Sequence, residues 1–360
     1  MPYDANDPLS AAFRADVSRV IAAFLEQRRA EVREIGEEIT PLVDAAELLV
    51  SGGKRFRPGF CWWGFAAASG QPVDSLPVLA AAASFDLLHA SALAHDDVMD
   101  ASDTRRGKPA AHVAFAANHR RQGWRGDSDS YGRAGAILLG DLLLMWSVAM
   151  VETSSLDRLA AARPLLDAVR TEVTCGQFLD IRAQSERADP ERAVDLSRRV
   201  TEYKSARYTV TRPLQAGAVL GGASAEVVAA LGAYGSPLGR AFQLRDDLLG
   251  VYGDEALTGK PAGDDLREGK QTLLVGLARQ RSADAARSRL EALVGDPALD
   301  AAGVDEARGI IDASGAVALV EAEIQQGYET AVGALDSVQL HDDGETALLA
   351  LANLAVRRVY

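Results

Sequence analysis

An all-α protein is predicted by three features of the chain. Alanine, leucine, arginine and glutamate dominate its 360 residues. β-branched and aromatic residues seldom alternate with polar ones over the few positions that a strand requires. Long apolar stretches instead repeat every three or four residues, as helices that bury one face do. Residues 1–40 form an N-terminal helical segment. Val78 to Asp100 carries helical spacing, Leu142 to Glu152 and Leu165 to Ile181 suit buried or half-buried helices, and Val227 to Val251 continues the pattern. Breaks are expected at Gly70-Gln71-Pro72, Asp189-Pro190, Gly235-Ser236-Pro237, Gly259 to Gly263 and Gly295-Asp296-Pro297. Residues 118–132 are polar and contain Gly123 and Gly126, so they are expected to form a surface loop too short to link domains. The expectation is one large helical domain over residues 1–360.

A net charge of −13 argues against a nucleic-acid binder, which needs clustered cations over its binding face. An anionic ligand would need a local basic pocket or a bound metal. The start, Met1 to Arg14, lacks a basic stretch followed by an apolar one, so no secretory signal is expected. The longest apolar candidate for a bilayer span, Ala134 to Val151, is interrupted by Gly140 and Asp141. Cys61 and Cys175 give neither a zinc spacing nor a disulfide framework, and read as core or half-buried thiols in a reducing cytoplasm.

The chemistry concentrates in His95-Asp96-Asp97-Val98-Met99-Asp100, three carboxylates at the end of an apolar helix. In α geometry Asp96 and Asp100 share a face, and like charges four residues apart destabilise a helix unless something neutralises them. Mg2+ suits such a pair, because it takes one or two carboxylates and completes its octahedron with water and phosphate oxygens. A solvated acidic helix end would give the same letters. That alternative weakens because the preceding turn is nearly apolar and because Thr104-Arg105-Arg106-Gly107-Lys108 follows, with arginines able to fork onto diphosphate. A second pair, Asp246-Asp247, again ends an apolar helical run after Phe242-Gln243-Leu244-Arg245. Gly259-Lys260-Pro261 and Gly269-Lys270-Gln271-Thr272 place lysines in glycine-rich turns, and Gly52-Gly53-Lys54-Arg55-Phe56-Arg57-Pro58 packs three cations behind two glycines. His89 lies two helical turns before Asp96, on nearly the same face, which suits an anion contact, whereas His95 reads as a satisfied core histidine.

These five motifs, in this order, resemble the trans-isoprenyl diphosphate synthases, or polyprenyl synthetase family, over nearly the whole chain. The resemblance implies a single helical bundle of the isoprenoid synthase type with a central apolar cavity. It implies condensation of isopentenyl diphosphate with an allylic diphosphate, three Mg2+ ions per active site and a cytoplasmic homodimer. Asp96 and Asp100 would bind two ions with Asp97 in support, and Asp246, with Asp247 beside it, would bind the third. Arg105, Lys204, Lys260 and Lys270 would grip the allylic diphosphate. Lys54, Arg57, His89 and Arg106 would hold that of isopentenyl diphosphate. Gln177, Asp180, Ser205 and Gln243 would line the reacting centre, where the carbonyl of Lys204, the Ser205 hydroxyl and the Gln243 amide oxygen stabilise an allylic cation by their dipoles. Two departures stand out: Gly250 occupies the position where the second motif usually carries a further acid, with Asp254 a candidate stand-in, and Ser205 replaces a threonine.

Product length is read from the helix bearing Asp96. At about 100° per residue, Ala92, Ser91, Leu88, Ser84 and Ala81 cluster on one side. Ala92 and Ser91 are small and Leu88 is the first sizeable side chain, so the expected product is geranylgeranyl diphosphate. Farnesyl or longer-chain synthases are the alternatives. A terpene cyclase would not need Lys54, Arg57 and Arg106, and a noncatalytic regulatory subunit would not need to keep its aspartates and lysines.

Overall fold

The computed structural model describes residues 3–186, 188–253, 263–296 and 298–357, and helices form nearly all of their regular structure. Two compact units emerge, each assembled from separate stretches of chain. The first comprises Met1–Arg163, Pro213–Ser224 and Leu340–Leu348, and the second Pro164–Arg212, Ala225–Gln339 and Leu349–Tyr360.

In the first unit α1 (Ala11–Arg33) is amphipathic, burying Phe13, Val17, Ile21, Phe24 and Leu25, and its first turn is capped by Ser10 Oγ accepting from the Phe13 amide at 3.3 Å. α2 (Thr40–Val50) and α3 (Phe56–Ser69) follow. α4 (Leu76–Met99) is buried along most of its length, so its sequence shows almost no polar face. Its pair of two-residue strands, β1 (Thr104–Arg105) and β2 (Lys108–Pro109), runs antiparallel with Thr104 opposite Pro109. α5 (Ala111–Gln122) and α6 (Ser128–Glu152) complete the unit's N-terminal stretch. Tyr3 meets both Phe13 and Trp62 edge to face, and the buried Trp63 donates Nε1–H to the Pro8 carbonyl. Both α4 and α6 are long and apolar enough to cross a bilayer by length and composition, the interruptions at Gly140 and Asp141 notwithstanding. α4 is mostly covered by its neighbours, whereas α6 leaves Ile137, Leu138 and Met145 exposed.

The expected loop over residues 118–132 is instead the end of α5, a five-residue turn and the start of α6. His119 is the reason. Its ring is buried; Nε2–H donates to the Arg125 carbonyl, leaving Nδ1 to accept from the Ser128 hydroxyl, and Trp124 and Tyr131 pack on its faces. Gly123 ends α5 in the left-handed region and Asp127 caps α6. The polar letters therefore describe two well-capped helix ends.

In the second unit α7 (Leu159–Ser185, joining it from Pro164) leads to α8 (Pro190–Val200) and an eleven-residue π-helical segment (Thr201–Thr211), after which α9 (Arg212–Leu220) belongs to the first unit from Pro213 onward. α10 (Ala225–Tyr252) is its central helix. After it come α11 (Asp264–Arg267), α12 (Leu273–Arg281), α13 (Asp284–Leu293), α14 (Ala301–Ser314) and α15 (Ala316–Leu335), and then α16 (Asp342–Val356), which belongs to the first unit through Leu348 and to the second from Leu349. The break expected at Gly235-Ser236-Pro237 does not occur, because α10 runs through it. Packing overrides propensity there. Cβ atoms at Gly235 and Gly239 would lie 2.8 and 2.7 Å from the Thr211 and Ala206 Cα atoms of the π segment, and one on Gly327 would lie 2.9 Å from the Pro237 carbonyl oxygen. The break at Asp189-Pro190 does occur, with Asp189 capping α8 through the Arg192 amide at 2.9 Å.

Candidate active site

Within the first unit the glycine-led basic run and the hairpin meet. Gly52, Gly53 and Arg55 all adopt positive φ, and Arg55 starts α3 from the left-handed region. The cation of Arg55 is buried: Nη1 donates to Asp86 Oδ2 at 2.7 Å, and Nη2 donates to Ser18 Oγ and the Val50 carbonyl at 3.0 Å. Arg55 is thus a structural charge, neutralised by an aspartate on α4 that reads as a stray acid in an apolar helix. Lys54 stays exposed and Arg57 half-buried. At the hairpin tip Arg106 and Gly107 have φ values of 53° and 71°, the two positive values that a tight two-residue turn demands. Arg106 donates Nη1–H to the Ser51 carbonyl at 3.0 Å, which ties the tip to the glycine-led run.

His89 faces this cluster. Burial, followed by the charges of Arg57, Arg106, Arg105 and Arg55, holds its imidazole well below the usual histidine range, so it is neutral at pH 7. Burial also lowers Arg106; the attraction of Asp86 opposes this and the other arginines add to it. Crowded arginines around a neutral imidazole form a place for an anion.

Two to three turns further along α4 are the three acids. Asp96 and Asp100 keep part of their surface, but Asp97 is wholly buried. Arg105 donates to Asp97 Oδ1 from Nε at 2.8 Å and from Nη2. Asp97, expected from the sequence to support the metal site, has its Oδ1 taken up by Arg105 instead. It orients Arg105, which the resemblance assigned to the allylic diphosphate. Burial raises the Asp97 pKa against the pull of Arg105, and its Oδ2 has no hydrogen-bond partner among the described residues. His95 Nε2 lies 3.1 Å from the Ile137 carbonyl, as expected of a satisfied histidine.

The second unit brings Lys204 and Asp180 into an ion pair at 2.5 Å. Lys204 and Ser205 sit in the π segment, a rare geometry that recurs at functional sites. It is held from α7 as well as α10, since a Cβ on Gly176 would lie 2.3 Å from the Lys204 nitrogen. Gln177 follows this contact and is half-buried. Around it runs an ion network that sequence reasoning did not detect: Glu172 accepts from Arg207 and Arg212, and Glu202 accepts from Arg207, Ser236 and Arg240. Such partners lie too far apart in sequence to show a spacing.

At the end of α10 Asp246 is half-buried and Asp247 buried, with Gln243 donating Nε2–H to Asp247 Oδ1 at 2.8 Å. The Asp247 carboxyl is pushed up to about 8, first by burial and then by Asp265 and Asp246, against the Gln243 bond. It too points inward rather than offering itself to metal, and it aims the Gln243 amide. Arg245 forks onto Glu321 at 2.6 and 2.7 Å, anchoring this helix end. Lys270 pairs with Glu268 at 2.6 Å and Asp265 at 3.4 Å. Lys260 and Asp254 lie outside the described residues. Cys175 is exposed rather than half-buried, whereas burial pushes Cys61 up to about 12.

Among the described residues no three His, Cys, Asp or Glu side chains form a complete metal cage. The half-buried carboxylates of Asp96, Asp100 and Asp246 still fit Mg2+, whose remaining positions go to water and phosphate. Helical walls, hard oxygen donors and crowded arginines define a class: proteins that handle diphosphates through a divalent ion. The comparisons then specify it. The polyprenyl synthetase family profile matches residues 40–311, and the chain belongs to that family. It is 32% identical to a short chain isoprenyl diphosphate synthase of Methanothermobacter thermautotrophicus over 95% of this chain and 99% of that one. It is also 32% identical to a geranylgeranyl diphosphate synthase of Mycobacterium tuberculosis, covering 99% and 95%. A geranylgeranyl pyrophosphate synthase from Corynebacterium glutamicum, solved with isoprenyl diphosphate and magnesium, superposes with a TM-score of 0.92 at 39% identity, covering 99% and 100%.

Proposed function

We propose that this chain is a trans-polyprenyl diphosphate synthase that adds isopentenyl diphosphate to an allylic diphosphate and forms geranylgeranyl diphosphate. The observation that carries the reading is the set of arginines around neutral His89, two helical turns from Asp96 and three from Asp100 on the same helix. Lys54, Arg57 and Arg106 give isopentenyl diphosphate its charge partners. His89, uncharged, donates or accepts without adding to the repulsion. Asp96 and Asp100, and separately Asp246, are the residues that would hold divalent ions, whose chemistry is to draw charge from a departing pyrophosphate. Three ions is the expected number.

The rest falls to side chains. Asp97 holds the Arg105 fork, and Asp180 holds Lys204, so two cations meant for the allylic diphosphate are fixed before it binds. Asp247 occupies the Gln243 amide nitrogen and leaves the amide oxygen to face developing positive charge. Along α4, Leu88, Ser84, Ser91 and Ala81 are buried and Ala92 is half-buried. The Ser84 hydroxyl is spent on the Ala81 carbonyl at 2.6 Å, so this face is effectively apolar, with Leu88 as its first bulky step. That supports a stop at the geranylgeranyl length. The exposed Ile137, Leu138 and Met145 on α6 support a homodimer.

The test is to incubate the purified protein with labelled isopentenyl diphosphate, Mg2+ and dimethylallyl, geranyl or farnesyl diphosphate, and to size the dephosphorylated alcohols. All three primers should yield geranylgeraniol, and chelating the metal should stop the reaction. Absence of transfer from every primer would refute the reading.

A further inference from the structure

The π segment, Thr201–Thr211, runs for eleven residues, longer than the single-turn bulges in which that geometry ordinarily occurs, so something must hold it. A row of charges does. In a π-helix each amide bonds to the carbonyl five residues back, which brings residue i+5 over residue i. In an α-helix five steps of about 100° would leave the two about 140° apart. Glu202, Arg207 and Arg212 stand at that five-residue interval, and they are linked. Arg207 donates Nε–H to Glu202 Oε1 at 2.8 Å and Nη1–H to Glu172 Oε1 at 2.7 Å, and Arg212 donates to both oxygens of Glu172 at 2.8 and 2.5 Å. Glu202 accepts in turn from Ser236 and Arg240 of α10 at 2.9 Å. Both glutamate side chains are only 14% exposed, which shields these bonds from screening by salt. The row therefore ties the segment to α7 through Glu172 and to α10 through Glu202, and the π register is what completes it.

Lys204 stands within this row, two residues after Glu202 and three before Arg207, and its ammonium is paired with Asp180 of α7. An α register would turn Lys204 about 55° around the axis relative to Glu202, off its present line to Asp180. We propose that Glu172, Glu202 and Arg207 are positioning residues for Lys204. Their bonds fix the π register, and the register aims the ammonium that, on the functional reading above, takes the allylic diphosphate. None of the three needs to touch that ligand.

The experiment is calorimetric titration of geranyl diphosphate and, separately, of isopentenyl diphosphate in Mg2+, with a thermal melt of each variant. Glu172→Gln, which keeps the shape and removes the charge, should weaken geranyl diphosphate by about tenfold, the worth of one charge-assisted contact, and leave isopentenyl diphosphate unchanged. Arg207→Lys, which keeps the charge and loses the fork, should do the same, and it carries the test if the glutamine variant does not fold. Lys204→Gln should show a similar loss, and adding Glu172→Gln to it should cost nothing more. Unchanged affinity for geranyl diphosphate in either folded variant would overturn the proposal. So would equal weakening of both ligands, which marks a general loss of structure, or full additivity with Lys204→Gln, since Glu172 would then not act through that lysine. A wild-type protein that binds neither diphosphate would instead remove the functional reading, and the proposal with it.

Discussion

Asp86→Ala tests whether the basic cluster rests on a buried counter-charge. The Arg55 and Asp86 side chains are 5% and 9% exposed and meet at 2.7 Å. Removing one partner of such a pair costs about 3–5 kcal/mol, because the other charge stays buried. Arg55 would keep Ser18 Oγ and the Val50 carbonyl as neutral acceptors, which places the expected loss near the lower end, about 3 kcal/mol. Arg55→Met should cost a similar amount, by stranding the Asp86 carboxylate. The double variant Arg55→Met, Asp86→Leu removes both charges and leaves mainly the Val50 carbonyl without its donor, a loss of about 1 kcal/mol. Urea unfolding followed by tryptophan fluorescence is the assay, since all four tryptophans lie in the first unit and Trp62 and Trp63 are buried there. The double variant should be more stable than either single one. If the two single losses add to within about 0.5 kcal/mol in the double variant, the charges are not coupled and the argument fails.

Three further outcomes are expected. Gly176→Ala puts a methyl group 2.3 Å from the Lys204 backbone nitrogen; overpacking of this kind costs about 1–3 kcal/mol, and a melt unchanged from wild type would show that the π segment yields freely. His89 has a folded pKa below its ordinary value of 6.5, so below that pH the unfolded chain takes a proton that the folded chain refuses. Stability should therefore fall as pH drops beneath about 6.5, by up to about 1.4 kcal/mol per pH unit, and His89→Gln should flatten this limb in urea unfolding between pH 7.5 and 5. Leu88→Ala should lengthen the prenyl product and Ala92→Phe should shorten it, read by sizing the alcohols; an unchanged distribution would discount the α4 face as the ruler.

Much of the helical plan was legible because apolar spacing and caps are local signals. The acids at 96, 97, 100, 246 and 247 were legible for a similar reason, as charge at the end of an apolar run is conspicuous. What those letters did not disclose was direction. Asp97 and Asp247 turn inward because their backbone positions face packed neighbours, and their partners, Arg105 and Gln243, became apparent only with coordinates. Asp86, Glu172 and Glu202 are countercharges across long loops, which no window of sequence displays. Gly235-Ser236-Pro237 misled because a helix gripped on two sides can tolerate a proline, and residues 118–132 misled because His119 is polar in composition and buried in fact.

The first unit is finished late. Its final piece is Leu340–Leu348, where the His341 amide donates to the Ala67 carbonyl at 2.9 Å and a Cβ on Gly344 would meet the Ala67 Cα at 2.2 Å. During synthesis the N-terminal helices must therefore wait for most of the ribosome's work before their last neighbour arrives, leaving apolar surface around Ala67 bare meanwhile. A nascent chain of this kind has reason to depend on chaperones, and trimming even a short stretch near residue 345 would undo packing laid down some three hundred codons earlier.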